Sequence, residues 1–490
     1  MSRPSGDSAS TNDADMTTKP LPIWWWPIAL AGMAFVLQCR PIHDVDIFWQ
    51  IRLGELALAQ GNRVDKEPFS ASHIGETLSP FSWMGQIVFG AIFQIGGWEW
   101  MYAFDSIIWV AGFAAASLSV RRSSLGGTAV ALALGFTASL PFASLRPQSF
   151  AVLAFGSLLV LMRSQFQLWK KLATAVPLLI LWQNLHPSVS IAVITASSSA
   201  SVGWIRYLRD RRTPMPWTHS LLAALAALAM FTTPAGFRLL TASAYNAQIS
   251  RELGISEWLP LWHTANRSTS FPAWVALAAT IALLLRGRRQ VNAEDLGVVI
   301  ALTVLMLSAY RFAPFWALAM IPVWTNCLAN GTGSFLLKEP RRAILRPFLL
   351  GCAGLAIGIA LATLVRPRLF AEHLPLDGLA RLKSEQVSGN VYCHPPWGGP
   401  LIFTGYPDWR VTCDGRYYVY SRQEWQHFRD AASGQVPLAE MDDRYRPAAY
   451  FLQPIVESGL IDLLRASDAW IEIHADPHCV IFVRAKRNPR

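Results

Sequence analysis

Charge is scarce in this chain. Of its 490 residues only 15% are charged, while 52% are hydrophobic. The mean hydropathy of +0.29 is too high for an ordinary water-soluble protein. Cysteine is scarce too: Cys39, Cys327, Cys352, Cys393, Cys413 and Cys479 include no C-x-x-C pair, so the usual zinc and dithiol signatures are missing. The first apolar run lacks a small-x-small cleavage site, and Gln38 before Cys39 spoils a lipoprotein signal. That run reads as a retained first span and not as a cleaved leader. No internal repeat is visible. The net charge of +10 does not indicate nucleic acid, because the basic residues form short clusters between apolar runs: RR (121–122), KK (170–171), RYLRDRR (206–212), RGRR (286–289) and KEPRR (338–342). That is the pattern of cytoplasmic loops.

Apolar sequence is what the chain has most of. Runs near 22–39, 99–119, 125–143, 149–163, 171–185, 188–204, 217–234, 271–286, 294–309, 312–328 and 344–365 approach or exceed the roughly 18–20 residues needed to cross a bilayer as a helix. The 21 tryptophans suit interfacial anchoring. The expected fold is a polytopic α-helical membrane protein of about eleven spans with a small C-terminal α/β extracytoplasmic domain. Residues 83–96 form a shorter apolar run, and if they crossed, the later basic clusters would move to the outside. Charge therefore favours a cytoplasmic N-terminus and an outer C-terminus. Three parts are expected: a disordered cytoplasmic tail (1–21), a transmembrane domain (22–366) with its first outer loop at 40–98, and an outer domain (367–490). In the outer domain NVYC (390–393), WRVTC (409–413), AAYFLQ (448–453), AWIEIH (469–474) and HCVIFVRA (478–485) read as strands, and PIVESGLIDLLRAS (454–467) as a helix.

On this topology the chemistry-bearing residues gather at the outer ends of the spans. Asp44 and Asp46 follow span one, Arg146 span three, His186 span five, Glu257 span seven and Arg311 span nine. Ionisable groups at membrane depth are costly, so they are functional candidates. A carboxylate can serve as general base toward an acceptor, and guanidiniums can hold a phosphate leaving group. Each has a plainer role open to it: the aspartates as caps, the arginines as snorkelling side chains, His186 before Pro187 as a helix end. Segment 47–60 is an amphipathic helix, either lying on the outer surface or packed on other spans. PFSASHIGETLSPFSW (68–83) reads as a turn-rich loop.

Several stretches carry a family resemblance. HDVDIFWQIRLGELALAQGNRVDKEPFS (43–70) resembles the first outer loop of bacterial multi-spanning glycosyltransferases of the GT-C superfamily. LRPQSF (145–150), LWQNLHPS (181–188), TPAGF (233–237), SEWLP (256–260), PWGGPLIF (396–403) and VTCDGRYYVY (411–420) resemble one poorly characterised branch of it, in order along nearly the whole chain. The resemblance implies a polyprenyl-phosphate-linked sugar as donor and a glycan, lipid or protein as acceptor. It implies inverting transfer on the outer face of the bacterial inner membrane, in contact with membrane lipid. The catalytic Asp then falls on Asp44 or Asp46. A divalent cation is left open, with His43, Asp44 and Asp46 as hard ligands. The chain departs from the branch at Gln50, where a His is usual, and at HPS (186–188), where HG is common. It also departs at Cys393 and Cys413, which stand where the branch has Asn and Ile-like residues. In an oxidising compartment those two cysteines, at the ends of neighbouring strands, are expected either to pair or to stay as buried thiols. Asp414 and Arg416 either bind an acceptor glycan, face the membrane active site or form an internal salt bridge that fixes the turn. The competing function is a non-catalytic membrane protein (a lipid-glycan transporter or assembly subunit), or a glycan polymerase or ligase. Transport needs a path of ionisable groups through the spans, and Asp105 is the main one present.

Overall fold

The computed structural model describes residues 25–120, 125–329, 341–365 and 369–485. The tail expected at 1–21, the basic pair at 121–122, residues 338–340 of KEPRR and the domain junction at 366–368 lie outside the described residues. Every long apolar run becomes a helix, because a helix satisfies its backbone polar groups within its own segment. In order these are α1 (Trp25–Cys39), α2 (Asp46–Gln60), α3 (Trp83–Leu118), α4 (Leu125–Ser139), α5 (Gln148–Arg163), α6 (Leu168–Leu185), α7 (Ser190–Arg209), α8 (Trp217–Ala229), α9 (Arg238–Glu252), α10 (Phe271–Gly287), α11 (Ala293–Ser308), α12 (Ala313–Leu328) and α13 (Arg341–Val365). By length and composition, Trp83–Leu118 and Phe271–Gln290 are each sufficient to cross a membrane, and five other apolar helices are shorter.

α12 is buried on all sides from Ala313 to Asn326, as an all-round apolar helix at the centre of a bundle must be. Trp109, Phe155, Trp182, Trp316 and Trp324 pack in the same core. The outer rim is the reverse of a soluble surface: Leu285 on α10 is 82% exposed and Ile300 on α11 66%. Large apolar side chains face outward on many helices, a contiguous apolar surface of the kind that marks a partner or a membrane.

α3 breaks at Gly96–Gly97, where Gly97 takes φ 60°. Its first half does not continue the bundle. It lies along α2, with Gly54 on Gly90 so closely that a Cβ on either would overlap the other helix's backbone. The surface-helix alternative for 47–60 is therefore corrected. α2 buries Ile47, Phe48, Trp49, Gln50, Ile51 and Leu53, and Arg52 donates to the Phe403 carbonyl of the C-terminal domain at 2.7 Å.

That domain comprises α14 (Leu376–Ser384), β1 (Gly389–Cys393), α15 (Gly398–Gly405), β2 (Trp409–Val411), α16 (Arg422–Ala432), α17 (Leu438–Tyr445), β3 (Pro447–Leu452), α18 (Ser458–Arg465), β4 (Trp470–Ala475) and β5 (Val480–Arg484). The strands form one sheet in the order β2-β1-β3-β5-β4. β2, β1 and β3 are parallel, and β3-β5-β4 run antiparallel. The carboxyl ends of β1 and β2 face α2, and the core of the sheet is continuous with that of α2 and the first half of α3.

Cys393 and Cys413 do come together at those carboxyl ends, but the pairing considered from sequence is not made. Both are free. Each Sγ is directed at the other's backbone carbonyl, at 3.2 and 3.1 Å, so the two thiols are spent on hydrogen bonds. Asp414 and Arg416 form the internal salt bridge, joined by a residue from the first loop. Arg416, fully buried, meets Glu67 at 2.6 and 2.8 Å and Asp414 at 2.6 and 2.9 Å. A second tie runs from His73 to Glu424, at 2.8 Å.

Two outcomes follow for stability. Arg416→Met leaves Glu67 and Asp414 buried without their cation, a loss of about 3–5 kcal/mol. It should appear as a lower unfolding temperature and faster proteolysis of the C-terminal domain. His73 is raised from 6.5 to about 9 by its bond to Glu424, against an opposing burial effect. Its stabilising contribution is then complete below pH 6.5 and fades as pH rises through about 9. His73→Gln should flatten the melting temperature between pH 6 and pH 10.

Candidate active site

Asp44 and Asp46 stand at the turn into α2, and their environments differ. Asp44 is buried. Its carboxylate accepts from the Asp46 N–H at 2.9 Å and from the Ser144 hydroxyl at 3.2 Å, and it pairs with the Arg146 guanidinium. Arg146 in turn meets Glu257 at 3.0 Å, and Arg311 meets the other Glu257 oxygen at 3.4 Å. The charges alternate along one chain: Asp44, Arg146, Glu257, Arg311. Arg311 lies with its guanidinium carbon 3.6 Å from the centre of the Trp258 ring, a stacked cation–π contact. Burial alone would raise Glu257, but Arg146 and Arg311 outweigh it and hold its carboxyl below the ordinary range.

Asp46 stands apart from that chain. Its Oδ1 accepts from the Trp49 indole at 3.1 Å, and among the described residues no cation forms an ion pair with it. Burial pushes its pKa up to about 7; the Trp49 bond offsets part of this, and the charges of Glu257 and Asp414 add to it. His186 is held down near 3, mainly by burial and by Arg311, so it is neutral, with Nδ1 against the Ser188 hydroxyl at 2.8 Å. His43 is lowered to about 4 by burial and Arg40.

Two cavities meet here. One, of about 210 Å³, is lined by Gln50, His186, Trp258 and Arg311. The other, of about 290 Å³, is lined by His43, Ser144, Asn266 and Tyr310. Asp46, Arg146, Glu257, Gly415 and Tyr417 line both. Gln50 is buried, and its Oε1 has no hydrogen-bond partner. A buried acceptor left in that state is destabilising unless a ligand donates to it.

All six ionisable candidates from the sequence (Asp44, Asp46, Arg146, His186, Glu257 and Arg311) thus fall in one cluster. His263 does not join it; its Nδ1 accepts from the Ala265 N–H in an exposed turn. The trio His43, Asp44 and Asp46 does not fit a hard cation. Asp44's oxygens are taken, and His43 Nδ1 faces the Pro41 carbonyl at 3.4 Å. Among the described residues the ligand-type atoms that do converge are those of His474 at the end of β4 and Asp476 and Cys479 in the turn that follows it. There Asp476 already accepts two backbone N–H groups and bonds His474.

The sequence offered the Asp414–Arg416 turn as one that faces the membrane active site, but not the two glycines that close over it. β2 exits into Asp414-Gly415-Arg416, and Gly415 lies directly on the Asp46 carboxylate, where a Cβ would overlap Oδ1. β1 exits into Gly398-Gly399, and a Cβ on Gly399 would overlap the Val45 carbonyl. The only signal was the pair of Gly-containing turns after strands, where α/β folds place ligands. Trp49 and Ser144, which bond the two aspartates, carried no signal of their own.

No protein-family model matches the chain, and no curated protein does. Solved structures do. The chain superposes on the archaeal oligosaccharyltransferase AglB from Archaeoglobus fulgidus, in complex with an inhibitory peptide and a dolichol-phosphate. The TM-score is 0.51 at 12% identity, over 94% of this chain and 74% of that one. The apo form of the Archaeoglobus fulgidus oligosaccharyltransferase gives 0.52 at 12% identity, over 87% and 69%. ArnT from Cupriavidus metallidurans in the apo state gives 0.53 at 12% identity, over 92% and 95%. Both kinds are GT-C superfamily glycosyltransferases, and at this identity the likeness is one of fold.

Gly415→Ala tests the lid contact. The added methyl must displace the Asp46 carboxylate, so any activity that depends on Asp46 should fall about tenfold or more. Unfolding temperature should change little, because the Arg416 ion pairs are untouched.

Proposed function

We propose, starting from the GT-C fold this chain shares with AglB and ArnT, that it is a membrane glycosyltransferase. It would move a sugar from a polyprenyl-phosphate donor to a glycan, lipid or protein acceptor. The observation that carries the reading is the position of Asp46. It is an unpaired carboxylate with a pKa near 7, on the wall shared by two cavities. The cavity with Arg311, His186 and Gln50 suits the donor phosphate and its sugar. The cavity with His43, Ser144 and Tyr310 suits the acceptor.

In the proposed reaction Asp46 takes the proton from the acceptor hydroxyl or amine as that atom bonds the anomeric carbon. The bond from the anomeric carbon to the phosphate oxygen breaks on the opposite face, and configuration inverts. The electron pair leaves with polyprenyl phosphate, whose growing charge Arg311 receives. Asp44 and Glu257 are positioning residues: they hold Arg146, and Glu257 also holds Arg311. The alternating order of helix ends supports eleven crossings, with the first half of α3 outside the membrane beside α2. The N-terminus is then cytoplasmic and residues 367–490 periplasmic or extracytoplasmic. The transport alternative has little support, because Asp105 is buried and accepts from the Ser149 hydroxyl between α3 and α5, and among the described residues no ion pair continues from it.

The test is transfer of a radiolabelled sugar from polyprenyl phosphate in proteoliposomes. Asp46→Asn should lower kcat/KM by about 10²–10⁴. A base with a pKa near 7 must be deprotonated to act, so wild-type kcat/KM should rise with pH through about 7, and the residual activity of the variant should lack that limb. Full activity in Asp46→Asn would refute the assignment. Lipid-sugar flux without any transfer would favour the transporter.

A further inference from the structure

A third cavity lies away from Asp46. Its volume is about 590 Å³, and Arg163, Lys171, Arg206, Glu294, Asp295 and Asn326 are among the residues that line it. They sit near the other ends of helices that border the active site. α5 begins just after Arg146 and ends at Arg163; α7 begins just after His186 and carries Arg206 in its last turn. α11 begins beside Glu294 and ends just before Arg311; α12 begins just after Arg311 and carries Asn326 near its end. Sixteen residues of α5 separate the two sites by about 24 Å.

The lining has the chemistry of an anion site. Three cations face two carboxylates. Arg163 bonds Asp295 at 2.6 Å and Arg206 bonds Glu294 at 2.6 Å, each through one N–H of the five a guanidinium offers. Lys171, only 9% exposed, adds the third positive charge. Asn326 is 7% exposed, and its Oδ1 has no hydrogen-bond partner. That atom calls for a ligand that also carries a donor, such as a hydroxyl. A third feature bears on the source of the anion: Phe166, Leu168, Trp169, Leu208, Met215 and Trp217, next to the cavity residues in sequence, are all exposed. Aromatic and long apolar side chains around a basic pocket at a bundle end suit lipid headgroup depth.

We propose that this cavity binds the headgroup of an anionic, hydroxyl-bearing glycerophospholipid, with its phosphate on Arg163, Lys171 and Arg206 and a headgroup hydroxyl donating to Asn326 Oδ1. Its acyl chains would run out over the exposed apolar rim. The bound lipid would tie together the ends of α5, α7, α11 and α12. The proposal needs the membrane location but not the transferase chemistry.

The full-length protein in neutral detergent provides the test, read by native mass spectrometry and thermal unfolding. The probes are dioleoyl phosphatidylglycerol, dioleoyl phosphatidylcholine and sn-glycerol 1-phosphate. Phosphatidylglycerol should stay bound and raise the unfolding temperature, and phosphatidylcholine should do neither at equal concentration. Lys171→Gln and Asn326→Leu should each weaken phosphatidylglycerol about tenfold, with unfolding in phosphatidylcholine reporting that each variant is folded. Lys171→Arg should retain binding. Equal effects of the two lipids, or undiminished phosphatidylglycerol binding in both variants, would overturn the proposal. Saturation by glycerol phosphate at the same concentration would overturn the lipid assignment in favour of a free-anion site.

Discussion

The buried guanidinium of Arg416 is the contact on which the geometry around Asp46 depends. Its two carboxylate partners come from distant parts of the chain, Glu67 in the first loop and Asp414 at the exit of β2. Taking three charges out of water is costly, and such a cluster persists only when the remaining lone pairs are bonded. They are: Glu67 accepts from the Phe69 and Ser70 N–H groups, and Asp414 from the Tyr420 hydroxyl. The cluster fixes the height at which Gly415 meets Asp46. It also keeps one uncompensated negative charge nearby. Asp414 raises Asp46 and Arg416 lowers it, so the clamp that positions the lid also helps set the proton affinity of the residue beneath it.

The two aspartates of HDVD show how far environment separates like residues. Asp44 is the end of an alternating chain, its carboxylate bonded by the Asp46 N–H, the Ser144 hydroxyl and Arg146. Asp46, two residues on, has the Trp49 N–H and an open cavity on either side. Asp46 has no such cation on it among the described residues, and burial raises its proton affinity toward neutrality. The chain also explains why two arginines are needed. Two guanidiniums balance the two carboxylates, and Arg311, which meets Glu257 through one N–H at 3.4 Å, keeps its other donors.

Much of this was legible in the sequence. Each apolar run marked a helix to within a few residues, the five strands fell where alternating β-branched and aromatic residues put them, and one face collected the ionisable groups. What was not legible depended on tertiary contact. α9 has a polar composition between two apolar runs and gave no signal as part of a loop. The burial of α2 on both sides comes from Gly54 and from a domain 350 residues away. Cys393 and Cys413 were correctly read as neighbours. Whether sulfurs bond each other or the backbone depends on where each thiol points, and sequence does not carry that. Gln50 looked like a weakness in the family resemblance. In the structure it is a buried acceptor without a partner, lining the cavity that His186 and Arg311 also line, and an amide there can accept a hydrogen bond without titrating.

The motifs of the resemblance are individually weak, and the packing shows why their order is more specific than any one of them. Gly399 of PWGGPLIF rests on the Val45 carbonyl, and Gly415 of DGRYYVY rests on Asp46. Both touch the four-residue stretch that supplies the candidate base. SEWLP supplies Glu257 and LRPQSF supplies Arg146, which meet each other at 3.0 Å and close the far side of the same stretch. Five segments scattered over some 370 residues are thus facets of one small volume. A substitution in any of them is constrained by the others, whereas the residues between them need only be apolar enough to form the bundle. The C-terminal domain is thus part of the candidate site. Removing it would strip Gly415 from Asp46 and open both cavities to water, which would lower the pKa that burial raises.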